Sequence, residues 1–313
     1  MVFEPLPYND YGTAMRRRFL GRVQKLSIDA ALSCPNRDGR VARGGCTFCL
    51  NEAFSPAYCR ESQSITEQID RGVAFHSARR RVADSYIAYF QAGTNTNASV
   101  DVLEKLYLEA LNHPKIGGII IGTRPDCISS EILDLLSDLS TRRYVAVEYG
   151  IESTYDTTLQ RVNRGHSFAD SQLAVRLTRE RGIDVGAHFI LGLPGESRDM
   201  LVRQMERIND LGLTSIKFHQ LQIYRSTPMA SEWTEYPERF LLNDYTAEDY
   251  VGLVVDLVRR LSPDVAIERF ASQAPRGLLL NSPLGGVPLD KLRAMIVDTM
   301  RRERYAQGDL VVR

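Results

Sequence analysis

Along most of the chain, apolar runs of strand length alternate with amphipathic stretches of helical period. KLSIDAAL (25–32) reads as a first strand that runs straight into a cysteine-bearing loop, and ITEQIDRGVAFHSARR (65–80) follows as a helix. SYIAYFQAG (85–93), GGIIIGTRP (117–125), YVAVEYGIES (144–153), DVGAHFILGLPGE (184–196) and SIKFHQLQIY (215–224) read as strands two to six. Helical patterns over 100–112, 129–140, 168–182 and 198–212 separate them, the third stopping on Gly182. Beyond the sixth strand lie a helix over 246–261, a short strand-like AIERF (266–270) and a terminal helix over 288–305.

Six strand-then-helix units in succession predict a parallel sheet with helices outside it, because each parallel pairing needs a crossover connection. The expected fold class is therefore α/β. One core is expected over residues 25–228, with an N-terminal extension (1–24) and a C-terminal helical extension (229–313). Periodicity alone leaves open whether the sheet is flat or curled into a partial barrel.

Charge narrows the partners. Lys+Arg and Asp+Glu both number 39, so no whole-molecule field draws the chain to nucleic acid or to an anionic membrane. Local basic runs at Arg16–Arg18, Arg79–Arg81 and Arg301–Arg302 fit solvated helix faces, and nucleic acid stays a candidate partner without support from net charge. No apolar run approaches the ~20 residues that span a bilayer, and the N-terminus lacks the pattern of a secretory leader, so a cytoplasmic location is expected.

In a reducing compartment, clustered cysteines point to metal or catalysis. Of five cysteines, three fall within CPNRDGRVARGGCTFC (34–49): Cys34, then Cys46 and Cys49 as a CxxC pair. Two intervening residues let one tight turn aim both sulfurs at one centre. Three readings compete. Zinc normally closes with four ligands, for which Cys59 or His76 is the candidate fourth, giving a non-enzymatic, zinc-stabilised binding module. A thiol redox pair needs only Cys46 and Cys49 and leaves Cys34 idle. A cluster held by three thiolates keeps one iron open, as a catalytic site requires. The loop's place after the first strand, where such folds carry their active sites, and its glycines Gly39, Gly44 and Gly45 favour the last.

The loop resembles that of radical SAM enzymes, in which three cysteines bind a 4Fe-4S cluster and S-adenosylmethionine (SAM) takes the fourth iron. The usual spacing is CxxxCxxC, and eight more residues stand in the first gap here, similar to the Elongator catalytic-subunit branch. KLSIDAALSCPNRDGRVARGGCTFC, YFQAGTNT, IGTRPDCI, VEYGIES, RVNRGHSF, GAHFILGLPGE, KFHQLQIYRST and IERFASQAPR together resemble the YhcC/YtqA-like radical SAM proteins. The resemblance implies a partial (β/α)6 barrel, a 4Fe-4S cluster on Cys34, Cys46 and Cys49, and reductive cleavage of SAM to a 5′-deoxyadenosyl radical. It also implies an electron donor such as a flavodoxin or ferredoxin. The substrate stays open among tRNA, peptide and small metabolite.

Around SAM, the resemblance points to Gln91 in QAGTN, to Arg164 for the SAM carboxylate, and to Ile190, Gly192 and Leu193 for the adenosine. Glu148 and Glu152 alternate on the fourth strand, where a carboxylate needs a partner or a task; SAM contact and a buried pair with an arginine are the alternatives. On the sixth strand Lys217 and His219 share one side and Gln220 and Gln222 the other. One set is expected to face the cavity: Lys217 and His219 as the candidates to bind or protonate the substrate, with Gln220 and Gln222 as the alternative.

Overall fold

The computed structural model describes residues 5–41, 43–50, 56–60, 64–91, 93–281 and 283–311. Residues 1–4 and 312–313 of the two expected extensions, and Ala92 of the QAGTN turn, lie outside them. The elements run α1 (Tyr11–Phe19), β1 (Val23–Ile28), α2 (Pro35–Asp38), α3 (Ala57–Arg60), α4 (Ile65–Ala78), β2 (Ser85–Phe90), α5 (Val100–Leu111) and β3 (Ile116–Thr123). They continue with α6 (Ser130–Ser140), β4 (Tyr144–Glu152), α7 (Asp156–Arg161), α8 (Phe168–Glu180), β5 (Asp184–Leu191), α9 (Arg198–Asp210) and β6 (Ser215–Gln220). The last are α10 (Pro228–Glu235), α11 (Ala247–Arg260), β7 (Ala266–Arg269) and α12 (Leu289–Arg302).

All seven strands are parallel and lie in chain order, with β1 and β7 as the two edges. Their sequences are rich in Val, Ile, Tyr and Phe, which pack well on a pleated surface buried on both faces. The helices start where the sequence supplies caps: Ser64, Ser129, Ser167, Ser197 and Thr246 each accept an N–H from the first turn. At α8 and α11 the partner is an aspartate, Asp170 or Asp249, whose side chain accepts in return from the cap residue's backbone.

The sheet is curled, as ion pairing across its interior requires. Flat strands ~4.8 Å apart would put β1 and β7 about 29 Å apart. Yet Lys25 Nζ on β1 lies 2.8 Å from Glu148 Oε1 on β4 and 2.5 Å from Glu268 Oε2 on β7. The result is a curled half-barrel whose interior is reached from three strands at once.

Three sequence expectations need correction. The first strand stops at Ile28, because the Gln68 side chain of α4 brackets Asp29: its Oε1 accepts from Asp29 N and its Nε2 donates to Asp29 O, both at 2.8 Å, and Ala31 is left-handed. AIERF supplies a seventh strand of the same sheet. The boundary expected at residue 228 therefore does not divide the core. Nor is the N-terminal segment a separate piece: Asp10 bridges Ile267, and Gln307 accepts from Asn9 N and donates to the carbonyls of Ser262 and Val265. No helix among the described residues is long and apolar enough to cross a membrane.

At the end of the LPGE segment, Glu196 accepts from Ser153 Oγ at 2.5 Å and ties the β5–α9 turn to the end of β4. Burial pushes its carboxyl from 4.5 up to about 7 against that hydrogen bond. A carboxyl raised in the folded state contributes stability below its unfolded value and loses it as pH climbs toward the folded one. The loss is on the order of 3 kcal/mol at about 1.4 kcal/mol per pH unit. In denaturant titrations, Glu196→Gln should therefore gain stability relative to wild type between pH 5 and pH 8. Parallel pH profiles for the two proteins would contradict this.

Candidate functional site: a cysteine loop over a charged barrel interior

One cavity of about 280 Å³ is lined by Cys34, Cys46 and Cys49 together with Gln91, Glu148, Glu152, Arg164, Ile190, Lys217 and His219. The cysteine loop reaches it through a sequence of local constraints. Cys34 precedes α2, whose first position is Pro35, and Gly39 ends that turn at φ 93°. Gly45 N then donates to Asn36 O at 2.9 Å and Cys49 N to Cys46 O at 3.0 Å, closing the CxxC turn.

The β4–α8 connection clamps this loop. Asn163 Nδ2 donates to Gly45 O at 2.7 Å, and Asn36, wholly buried, donates to Asn163 O at 2.6 Å and to Cys46 Sγ at 3.4 Å. Arg164 Nη1 donates to Cys46 Sγ at 3.5 Å, while Nη2 donates to Gly150 O at 2.5 Å and lies 3.6 Å from Glu152. Gly150 makes room for this, since a Cβ there would stand 2.8 Å from Arg164 Nη2. Cys46 is thus the sulfur with two N–H donors. Burial, and then Cys46 beside it, pushes the Cys49 thiol up to about 11.

Beneath the loop the interior is charged. Glu148 Oε1 accepts from Lys25 at 2.8 Å, and Oε2 accepts from Lys217 at 2.5 Å with His188 Nε2 at 2.9 Å. Lys217 also lies 3.4 Å from Glu268 and donates to Tyr89 OH at 3.2 Å. Burial alone would raise the Glu148 carboxyl, but Lys217 and Lys25 outweigh it and hold it well below the usual range. Burial draws Lys217 down to about 8, which leaves it an ammonium at neutral pH. Gly186 admits this arrangement: it is the register partner of Glu148, and a Cβ there would lie 2.9 Å from Glu148 Cγ.

Several sequence expectations change here. Both oxygens of Glu148 are engaged with lysines and a histidine, so its buried partners are these and not the arginine foreseen for it. Gly192 and Leu193 are not among the residues lining the cavity. β5 ends at Leu191; Gly192 turns at φ 84° against Leu242, and Leu193 is buried with Val162, Leu221 and Phe240. Lys217, His219, Gln220 and Gln222 all reach the cavity, because β6 ends at Gln220 and strict alternation ends with it. Gln220 and Gln222 are held by Ser272 O, at 2.6 and 3.0 Å. Gln91 lines the wall and donates to Ser27 Oγ at 2.6 Å.

Neither candidate fourth ligand reaches the cavity. Cys59 donates its thiol to Ser27 O at 3.0 Å, and burial raises it to about 12. His76 is buried on α4. Sequence reasoning missed Lys25, Tyr89, His188, Glu268 and Arg269. Their signal was the polar partner set left on otherwise apolar strands, legible only once the curl brings those strands together.

Removing one member of a buried ion pair strands the others and typically costs 3–5 kcal/mol. Glu148→Gln should therefore destabilise the protein by about 3 kcal/mol in urea titrations. Adding Lys217→Met to it should cost less than the two single losses combined, as expected of groups in one network. Additive losses would show that the pair acts independently.

The model of the radical SAM superfamily matches residues 38–208, and that of the Radical_SAM C-terminal domain matches residues 213–302. Protein YhcC of Escherichia coli (strain K12) is 38% identical over 290 residues, covering 90% of this chain and 91% of that protein. YtqA of Bacillus subtilis (strain 168) is 35% identical over 292 residues, covering 90% and 88%. The structure of the archaeal Methanocaldococcus infernus Elp3 shares the fold at a TM-score of 0.66 and 15% identity, covering 91% of this chain and 64% of that one. The chain belongs to the radical SAM superfamily, in a YhcC-like branch related to Elongator proteins, and is an enzyme whose cofactors are an iron–sulfur cluster and SAM.

Proposed function

We propose that Cys34, Cys46 and Cys49 hold a 4Fe-4S cluster and that the protein uses SAM to start radical chemistry on a substrate bound in the same cavity. The carrying observation is that three thiols from one loop share a cavity wall, and that Asn36 and Arg164 direct N–H groups at one of those sulfurs. The donor set fits the group: such hydrogen bonds to cluster sulfurs are among the means by which a protein sets a cluster's potential. Close packing at the start of the loop also fits, since a Cβ on Gly93 would come within 2.4 Å of Leu32 O, two residues before Cys34. When bound, the cluster and SAM supply an electron and a 5′-deoxyadenosyl radical that abstracts hydrogen from the substrate.

The chain's own residues bind, orient and exclude water. Arg164 fixes Cys46 to the end of β4 through Gly150 O, a task that occupies both its terminal nitrogens. Gln91, positioned by Ser27, and Ile190 face the cavity where SAM would lie. Phe48 packs against the apolar cluster of Leu193 and Leu221 and shields the loop from solvent. Lys217 and His219 stand on the wall for the substrate, with Lys217 kept charged by its two carboxylates. The reaction needs an electron donor such as a flavodoxin or ferredoxin, and a reducing compartment such as the cytoplasm suits its open thiols.

Anaerobic purification tests this directly. Iron, sulfide and visible absorbance should accompany the wild-type protein, and dithionite with SAM should release 5′-deoxyadenosine. Replacement of any one of Cys34, Cys46 or Cys49 by Ala should remove most of the iron, whereas Cys59→Ala and Cys127→Ala should keep it. Bound zinc that disappears in Cys59→Ala would support the four-thiolate module, and a metal-free protein needing only Cys46 and Cys49 would support thiol exchange.

A further inference from the structure

Around Lys217 the charges do not balance. The carboxylates of Glu148 and Glu268 face three cations, Lys25, Lys217 and Arg269. The two lysines each contact both carboxylates or one at hydrogen-bond distance, at 2.8 and 2.5 Å for Lys25 and 2.5 Å for the closer contact of Lys217. Arg269 comes no nearer than 3.6 Å to Glu268, its neighbour in sequence, and is the cation left over. Elsewhere on the cavity wall Glu152 faces Arg164, Arg124 forks onto Asp126 at 2.9 and 2.8 Å, and Arg37, on the cysteine loop, donates to Cys49 O at 2.8 Å.

Arg269 is also well placed to receive something. It is the register partner of Lys217, which is the partner of His188, so the three side chains stand on one level of β5, β6 and β7. All three line the cavity, and the Arg269 side chain keeps 43% of its surface open. His219, two residues along β6 from Lys217, stacks on His188 at 5.3 Å between ring centroids. Its Nε2 is buried and has no hydrogen-bond partner among the described residues. A buried polar atom without a partner is costly, and a ligand atom that pairs with it recovers the loss. Burial, with His188 and the cations Arg269 and Lys217 nearby, keeps this imidazole neutral, with one N–H to offer.

We propose that Arg269 and His219 form an oxyanion subsite that holds a carboxylate or phosphate group of the substrate. Guanidinium is suited to this, because its planar fork matches two oxygens at once and stays charged at every working pH. The subsite rests on the radical SAM reading above, and it narrows the substrate to one with an acidic group placed next to the interior of the half-barrel. Glu148 and Glu268 then have a second effect: by engaging both lysines they leave Arg269 as the cation that selects.

The test uses the cluster-reconstituted, SAM-loaded protein titrated calorimetrically with inorganic phosphate and, separately, with acetate. At least one anion should bind to wild type, and Arg269→Gln should weaken that binding tenfold or more. Arg269→Lys should fall between them, because it keeps the charge and loses the fork. Arg176→Gln, on the outer face of α8, should match wild type. Preference for phosphate or for acetate distinguishes the two sources of the anion. Binding of neither anion to wild type, or equal binding to wild type and Arg269→Gln, would overturn the subsite. So would a matching loss of SAM affinity in Arg269→Gln, which would assign the arginine to SAM instead. Iron, sulfide and 5′-deoxyadenosine measured on the same wild-type samples report on the radical SAM reading independently, so its failure is told apart from that of the subsite.

Discussion

Glu148 is the point on which the half-barrel turns. A carboxylate in the middle of an apolar strand is costly to bury, and the cost is offset only if cations reach it from elsewhere. Here they come from β1 and β6, and the same lysines extend to Glu268 on β7. Four charges from four strands can meet only when the sheet curls, so the ion network and the curvature require each other. Tyr89 lines the ring from β2, with both lysine ammoniums over its face at 5.0 and 4.4 Å.

That curvature sets what the cysteine loop faces. The loop leaves β1 and is anchored a third of the chain away, by Asn163 and Arg164 behind β4, so its sulfurs hang over the interior at a fixed height. The apolar cluster around Leu193, Leu221 and Phe240 closes the side of the site that Gly192 and Leu193 turn toward.

Much of this was legible in the sequence. Alternating strand and helix periods told of the parallel sheet, because local periodicity is imposed by the packing of single elements. The caps at Ser64, Ser129, Ser167, Ser197 and Thr246 stand at or beside the expected helix starts. The three cysteines, Gln91, Glu152, Arg164, Ile190, Lys217 and His219 come to one cavity. What could not be read was pairing at long range. The partner of Glu148 could not be named because Lys25 sits 123 residues away, on a strand whose sequence looks ordinary. Gly192 and Leu193 were placed on the strand because the apolar run continues past Leu191, where β5 ends, and the strand-like AIERF was not seen to join the same sheet until it paired with β6.

The edge strand β7 is held from both ends of the chain. Asp10 lies against Ile267, and Gln307 accepts from Asn9 N across a sequence separation of 298 residues while donating to the carbonyl of Val265. Contacts of such separation form late, because the chain between them must be ordered first. During synthesis the N-terminal segment therefore waits for residues near position 307 before its edge is complete, and Glu268 is the last member to join the ring of charges. Until then Lys25 and Lys217 share Glu148 alone, and β7 brings Glu268 to both lysines together with Arg269. The ring of charges is therefore complete only with β7, the strand whose edge the segments around Asp10 and Gln307 cover.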